Sequence, residues 1–538
     1  MPHIYVSMKL NYKLTYIILM CLFLNFESKS QIKQLLKQGL EANENKDYSS
    51  AAQIYNQIIL IDSSKIEYNE TAFHWYQKIY KKDNGKTYKE VPFYMATLLK
   101  NTGKYKEAKK YFDKYYKKNK SAKDPFKKQM SLKALQEIEA CDLAQIIMKN
   151  PVDANILHID STVNSEVSEY APFEVDTVLY FSSLRDKSKT DERGVGYNKL
   201  YTSKKINNKR QKATELDSLF NKEGFHNANT CFNDDFTKIM VTRCEAINSS
   251  QYRCELYESN YRNNQWTELK KLPEPINSKG YNTTQPNIGK LNNKDILLFS
   301  SNRQGGEGGM DIWYSFINAD GTYGKPINAG KKINTIEDEI TPFYVNEINT
   351  LYFSSTWHKG LGNFDIFKSE FKANEFTEPK NLGHPINSSY NDIYYSVNSK
   401  KDKAYISSNR IGSFFEDKPS CCNDIYTFSI PPLTEPIKPV DTTELLINQL
   451  KVLCPLTLYF HNDEPEPKTK LIATKKNYKK TYDDYTLLKN KYISEYTKGS
   501  EGEQKEYSEN RILNFFEDSV DAGMQDLEKF ATLLESVL

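Results

Sequence analysis

One pattern recurs five times between Pro172 and Phe428, and it restricts the fold more than any other feature of the 538 residues. The clearest copy runs Gln285-Pro286-Asn287, Ile296-Leu297-Leu298-Phe299-Ser300-Ser301-Asn302-Arg303, Gly305-Gly306 and Asp311-Ile312-Trp313-Tyr314. The next reads Thr341-Pro342-Phe343, Leu351-Tyr352-Phe353-Ser354-Ser355, Gly360 and Asp365-Ile366-Phe367. The last reads Ala404-Tyr405-Ile406-Ser407-Ser408-Asn409-Arg410, Gly412 and Asp424-Ile425-Tyr426. Two looser copies precede them, Leu179 to Ser183 with Leu200-Tyr201, and Ile239 to Thr242 with Leu256-Tyr257. With Leu200, Leu256, Ile312, Ile366 and Ile425 as register marks, the steps are 56, 56, 54 and 59 residues. Short alternating strands with Gly/Asn turns at this period signal propeller blades, each unable to bury its apolar face alone.

Each repeat begins near a polar step, as in Ile276-Asn277-Ser278, Ile333-Asn334-Thr335 and Ile386-Asn387-Ser388. Outer strands are expected before these steps, over Trp266–Leu272, Tyr323–Ile327 and Phe376–Leu382. The final repeat lacks one, and Ile156-Leu157-His158-Ile159-Asp160 stands ahead of the first repeat without a partner. Pairing that segment with the last blade closes a five-bladed ring and removes both sheet edges.

Residues 31–150 read as helices, with Tyr48, Ala51, Tyr55 and again Tyr105, Ala108, Phe112 at i, i+3, i+7. Pro431-Pro432 opens a proline-rich linker over 431–446. Beyond it, Leu446–Val452 is expected as a helix, Pro455–Phe460 as a strand, and Lys468–Lys498 and Phe515–Leu538 as helices. Lys9 and Lys13, the apolar run Tyr16–Phe26 and Ser28-Lys29-Ser30 make residues 1–30 a signal peptide. Cys21 raises a lipoprotein reading, opposed by Met20 before it and Leu22-Phe23-Leu24 after it.

Charge nearly cancels, 73 Lys+Arg against 70 Asp+Glu, so nucleic acid is not an expected partner. Residues 101–130 are an exception, with 11 Lys and three acids. The plain reading is a solvated helix face, and the sharper one a docking face for an acidic partner or lipid headgroups. Seven cysteines follow the leader, so at least one lacks an intramolecular partner. Cys244 and Cys254 flank one strand connection and can be bridged, or remain buried thiols.

The Ser-Ser-Asn-Arg and Asp-Ile-aromatic elements recur from blade to blade, whereas a catalytic site needs one asymmetric set. We expect Arg303 to pair with Asp311, and Arg410 with Asp424, inside their own blades. Asn198 and Trp357 depart from this pattern in the first and fourth copies. No Gly-x-Ser-x-Gly elbow, Walker loop, His-Glu-x-x-His or dinucleotide fingerprint occurs. No catalytic, cofactor-binding or metal residue is therefore assigned, and no enzyme activity is expected.

The Phe-Ser-Ser-Asn-Arg…Gly-Gly…Asp-Ile-Trp pattern resembles the TolB-type, WD-like β-propeller repeats of the Gram-negative envelope, over residues 151–430. Gly103-Lys104-Tyr105-Lys106-Glu107-Ala108 resembles a tetratricopeptide repeat. Leu458-Tyr459-Phe460-His461-Asn462-Asp463-Glu464-Pro465, Asn477-Tyr478 and Phe515-Phe516-Glu517 resemble the front of an OmpA-like domain over 447–538, whose peptidoglycan-binding half has no counterpart. Together the resemblances imply an exported protein of the periplasm, or of the periplasmic face of the outer membrane. They imply a non-enzymatic scaffold that binds envelope proteins through its helices and a propeller face, linked to type IX secretion and gliding or to wall tethering. The alternative is a glycan or small-ligand module in the propeller channel, with Trp313 and Trp357 as stacking residues. A peptidase or hydrolase is the third reading.

Overall fold

A computed structural model describes residues 89–186, 190–191, 196–248, 251–414, 422–431, 453–461 and 476–537, with isolated positions elsewhere. Residues 1–30, expected as a leader, most of 31–88, and residues 432–446, expected as a linker, lie outside the described residues. Two compact units divide the chain, residues 1–436 and 437–538.

The first unit holds five antiparallel sheets, one per repeat. Their innermost strands are Glu169–Val175, His226–Phe232, Thr283–Leu291, Glu339–Val345 and Asp392–Val397. The third strands begin at Lys199, Gln251, Asp311, Asp365 and Asp424. All five register marks are fully buried on these third strands. Left-handed pairs close the outer hairpins at Asn207-Asn208, Asn263-Asn264 and Ala373-Asn374 and an inner one at Asn292-Asn293, as the right-handed twist of paired strands requires. The outer strands are shorter than expected, two residues each at Lys270–Lys271, Ile327–Asn328 and Lys380–Asn381. Apolar side chains from facing sheets fill the gaps between blades, as where Ile296, Leu298 and Ile312 meet Tyr344, Leu351 and Phe353. The ring closes through Leu157–His158, which pairs with the last blade at Thr427 and Tyr426.

A buried asparagine fastens the loop after each outer strand. Asn164, Asn221, Asn277, Asn334 and Asn387 each accept from the backbone N–H of a register mark, at 2.7–2.8 Å. Each also donates to that residue's carbonyl, at 2.8–3.0 Å. The amide thus acts as one more rung of the ladder where the backbone turns away.

The expected arginine–aspartate pairs do not form. Arg303 reaches backwards to Pro275 O at 3.0 Å, Ile276 O at 2.5 Å and Thr283 Oγ1 at 3.1 Å, with Nε on Ser301 Oγ at 3.0 Å. Arg410 takes Pro385 O, Ile386 O and the carboxylate of Asp392. Asp311 and Asp424 instead accept from the backbone of Glu307 and Phe414, bracing their own loops. The guanidinium fork therefore joins a blade to the loop that enters it. A lysine holds one point charge and cannot span these acceptors. Arg303→Lys is expected to cost about 2 kcal/mol, read as a lower urea midpoint at unchanged slope.

Among the described residues three helices precede the ring: α1 (Val91–Asn101), α2 (Tyr105–Asn119) and α3 (Pro125–Lys149). Asp124 caps α3 and Pro125 opens it. Tyr105, Ala108 and Phe112 are buried as their spacing requires, and Phe93 packs edge-on against Phe112. Most of the segment expected to carry the repeats, residues 31–88, lies outside the described residues, so these helices alone do not show a repeat array. They dock on loops of the fourth blade, where Lys133 meets Glu337 at 2.7 Å while also pairing with Glu137, one turn on in α3, at 3.2 Å. Desolvation pulls the Lys133 ammonium down, but the two carboxylates more than offset it and its pKa ends raised.

In the second unit the helices are α4 (Tyr478–Leu487), α5 (Lys489–Tyr496), α6 (Gly502–Phe515) and α7 (Ala522–Val537). The expected strand over Pro455–Phe460 is absent. Tyr478 OH takes both backbone groups of Tyr459, at 3.1 and 3.0 Å, which a neighbouring strand would otherwise use. Tyr485, Phe516 and Val520 form this unit's small core. Neither an OmpA-like fold nor a tetratricopeptide array is established by these elements.

Candidate functional site

The five innermost strands converge on the ring axis, and each breaks register there. The bulges fall after Tyr170, Ala228, Thr284, Ile340 and Ile393. At each bulge one non-glycine residue takes a left-handed conformation: Ala171, Asn229, Gln285, Thr341 and Tyr394, with φ of 54–57°. Five such residues in one ring store backbone strain that the surrounding structure must hold.

Side-chain hydroxyls do much of that holding. Asn229 N–H donates to Ser182 Oγ at 3.0 Å and Gln285 N–H to Thr242 Oγ1 at 3.1 Å, each on the neighbouring blade. Tyr394 N–H donates to Thr341 Oγ1 at 3.4 Å. Gln285 spans the axis, accepting from Thr341 N–H at 3.0 Å and donating to Tyr394 OH at 3.2 Å. The first serine of the pair thus meets a bulge in two blades, Ser182 on Asn229 N–H and Ser354 on Thr341 Oγ1 at 2.9 Å, while the second secures the strand start, as Ser183 does on Glu169 and Ser355 on Glu339.

On one side of the bulges Met310 and Phe364 pack with Ile340, Ile393, Tyr170 and Tyr394 into an apolar plug. On the other side lies an axial cup of about 40 Å³, bordered by Phe173, Phe343 and Tyr395. It accommodates a few water-sized groups and not a whole sugar ring. Thr230 lines this cup, is 7% exposed, and its hydroxyl has no hydrogen-bond partner. Trp313 and Trp357 are not at the axis. Trp313 belongs to the core between blades 2 and 3, and Trp357 lies beneath Lys133, 5.2 Å from its ammonium.

Buried carboxyls stand at the start of inner strands, as Glu169 and Glu339 do, and do not line the cup. Desolvation pushes Glu169 up to about 7 against the pull of Arg185. It pushes Glu339 up to about 8 against hydrogen bonds from Ser355 and Thr335. In blade 2 His226 replaces the acid, accepting from Asn198 N–H at 3.1 Å and facing Asp191 at 3.4 Å. Among the described residues no group of three metal-binding side chains converges, and no helix is long and apolar enough to cross a membrane.

No family model and no curated protein matches the chain. Solved structures do match. An α-L-arabinofuranosidase from Lactobacillus brevis is 9% identical, aligned over 51% of this chain and 94% of its own, with a TM-score of 0.35. An endo-arabinase from Bacteroides thetaiotaomicron is 11% identical over 51% and 98%, at 0.32. A Trypanosoma rangeli sialidase in complex with sialic acid is 10% identical over 58% and 63%, at 0.32. At such identities the likeness concerns the propeller fold. It nonetheless corrects two expectations. An α-L-arabinofuranosidase and an endo-arabinase share this kind of propeller, so the propeller fold by itself neither excludes enzyme activity nor marks a non-enzymatic envelope scaffold.

Thr230 escaped the sequence reading because its blade is one of the two loose copies. The one available signal was the proline after the bulge, Pro172, Pro286 and Pro342, of which two stand in the motif itself.

Proposed function

We propose that the propeller binds a glycan, or a small polar ligand of like chemistry, at its axial cup. The unpartnered buried hydroxyl of Thr230 supports this most directly, since a desolvated hydroxyl is costly until something bonds to it. The size of the cup fits one protruding substituent, such as a hydroxymethyl or acetamido group. Phe173, Phe343 and Tyr395 offer apolar faces on which the ring bearing that group rests.

Thr230→Val keeps the side chain's shape and removes the hydroxyl. In a saccharide panel titrated against the full chain, its affinity is expected to fall about tenfold, while stability holds or rises by about 1 kcal/mol. Unchanged affinity in the variant, or no saccharide bound by the parent, would count against the cup. Reducing-end release is followed in the same panel, so binding and turnover are read together.

The wider organisation belongs to the same proposal. Export to the periplasm or the periplasmic face of the outer membrane rests on residues 1–30 as leader. Tetratricopeptide-like helices over 31–150 are supported by the Gly103–Phe112 pattern, and an OmpA-like segment over 447–538 by Leu458–Pro465. The blades would then occupy 151–430 and the linker 431–446.

A further inference from the structure

The turn between α2 and α3 carries a density of positive charge that the fold does not consume. Residues 117–128 contain six lysines and one acid. That acid, Asp124, is engaged as the cap of α3, accepting from Lys127 N–H at 2.9 Å. Lys117 pairs with Asp113 at 2.8 Å one turn back. Lys120, Lys123 and Lys128 are exposed and make no ion pair among the described residues. In their midst Phe126 is 44% exposed, on the first turn of α3. A stable fold needs neither the unneutralised lysines nor an aromatic ring in water.

We propose that this turn docks on an anionic membrane surface, its lysines against acidic headgroups and Phe126 entering the headgroup–acyl boundary. Clustered lysines gain from a negative surface potential, and an aromatic ring at their centre gains from leaving water. An acidic protein face would satisfy the charge but gives no separate role to the exposed ring. The solvated-face reading accounts for the lysines and leaves Phe126 unexplained. The proposal is independent of the axial cup.

The test is co-sedimentation of the full chain with vesicles of phosphatidylcholine containing about one-third phosphatidylglycerol, against pure phosphatidylcholine. Binding is expected only to the anionic vesicles, and is expected to weaken steeply between about 0.1 and 0.5 M salt. The surface variant K120E/K123E/K128E should bind about tenfold or more weakly, with an unaltered circular dichroism spectrum. Phe126→Ala leaves the charge unchanged and should also weaken binding. Equal binding to both vesicle types overturns the proposal, as does parent-like binding by the triple variant. Parent-like binding by Phe126→Ala, together with displacement by soluble polyglutamate, assigns the surface to an acidic protein and overturns it too.

Discussion

Asn164→Ala is expected to destabilise the propeller by about 3 kcal/mol. It also loosens the ring at its seam. The substitution removes three hydrogen bonds, from Ile425 N–H at 2.8 Å, to Ile425 O at 3.0 Å and to Ile159 O at 2.6 Å. It leaves the buried N–H of Ile425 without a partner, and an orphaned buried donor costs more than the bond it made contributes. Asn387→Ala is the control. That residue makes the same contacts with Ile366, at 2.8 Å each, and the same local loss of about 3 kcal/mol follows. The two positions differ in connectivity. Asn387 sits where consecutive blades are joined by continuous chain, whereas Asn164 secures a closing strand of only two residues. Amide exchange should therefore rise selectively over Asp424–Ser429 in Asn164→Ala and not in Asn387→Ala. Equal exchange profiles would show that Leu157–His158 and the apolar contacts of Val163 close the ring unaided.

These asparagines show what the sequence discloses and what it withholds. Ring, blade number and closing strand were legible because burial forces periodicity. Leu200, Leu256, Ile312, Ile366 and Ile425 recur since the same position of each third strand must be apolar. The Asn step was visible as punctuation, but its role was not, because the partner lies 21 or 22 residues earlier in four blades and, for Asn164, 261 residues later. The sequence pairs Arg303 and Arg410 with the aspartates that follow them because arginine and aspartate recur together in the same repeat. In the fold they reach residues 24–28 positions earlier, which the entering loop brings alongside. The axial site was harder still to read. Ala171, Asn229, Gln285, Thr341 and Tyr394 share a backbone conformation and no side-chain chemistry, so no residue pattern announces them. Tertiary packing imposes that conformation against local preference.

Glu339→Gln is expected to change the pH dependence of stability, and a departure from the repeat explains why. In blades 1 and 5 an arginine faces the carboxylate at the head of the inner strand, Arg185 on Glu169 at 3.0 Å and Arg410 on Asp392. In blade 4 Trp357 stands near that place, and Glu339 is held only by neutral donors, Ser355 Oγ at 2.6 Å, Thr335 Oγ1 at 2.8 Å and Thr335 N–H at 2.6 Å. Burial then dominates and carries its pKa from 4.5 to about 8. The folded chain keeps a proton that the unfolded chain releases above about pH 4.5. The stability tied to that proton is full below this value and is lost as pH rises through about 8. Glutamine is permanently neutral and removes the dependence. Parent and variant should lie within about 1 kcal/mol at pH 5, and the variant should be more stable by on the order of 2–4 kcal/mol at pH 9. Other buried carboxyls titrate in the same range, Glu169 and Asp365 at about 7 among them, but they contribute alike to both proteins and cancel in the difference. Urea midpoints at pH 5, 7 and 9 measure that difference directly. Parallel curves would mean that Glu339 is already ionised in the folded ring, its charge borne by Ser355 and Thr335 alone. Glu169→Gln is the companion variant. The Glu169 carboxyl is raised less by burial, to about 7 against the pull of Arg185, so the gain at pH 9 should be smaller than that of Glu339→Gln.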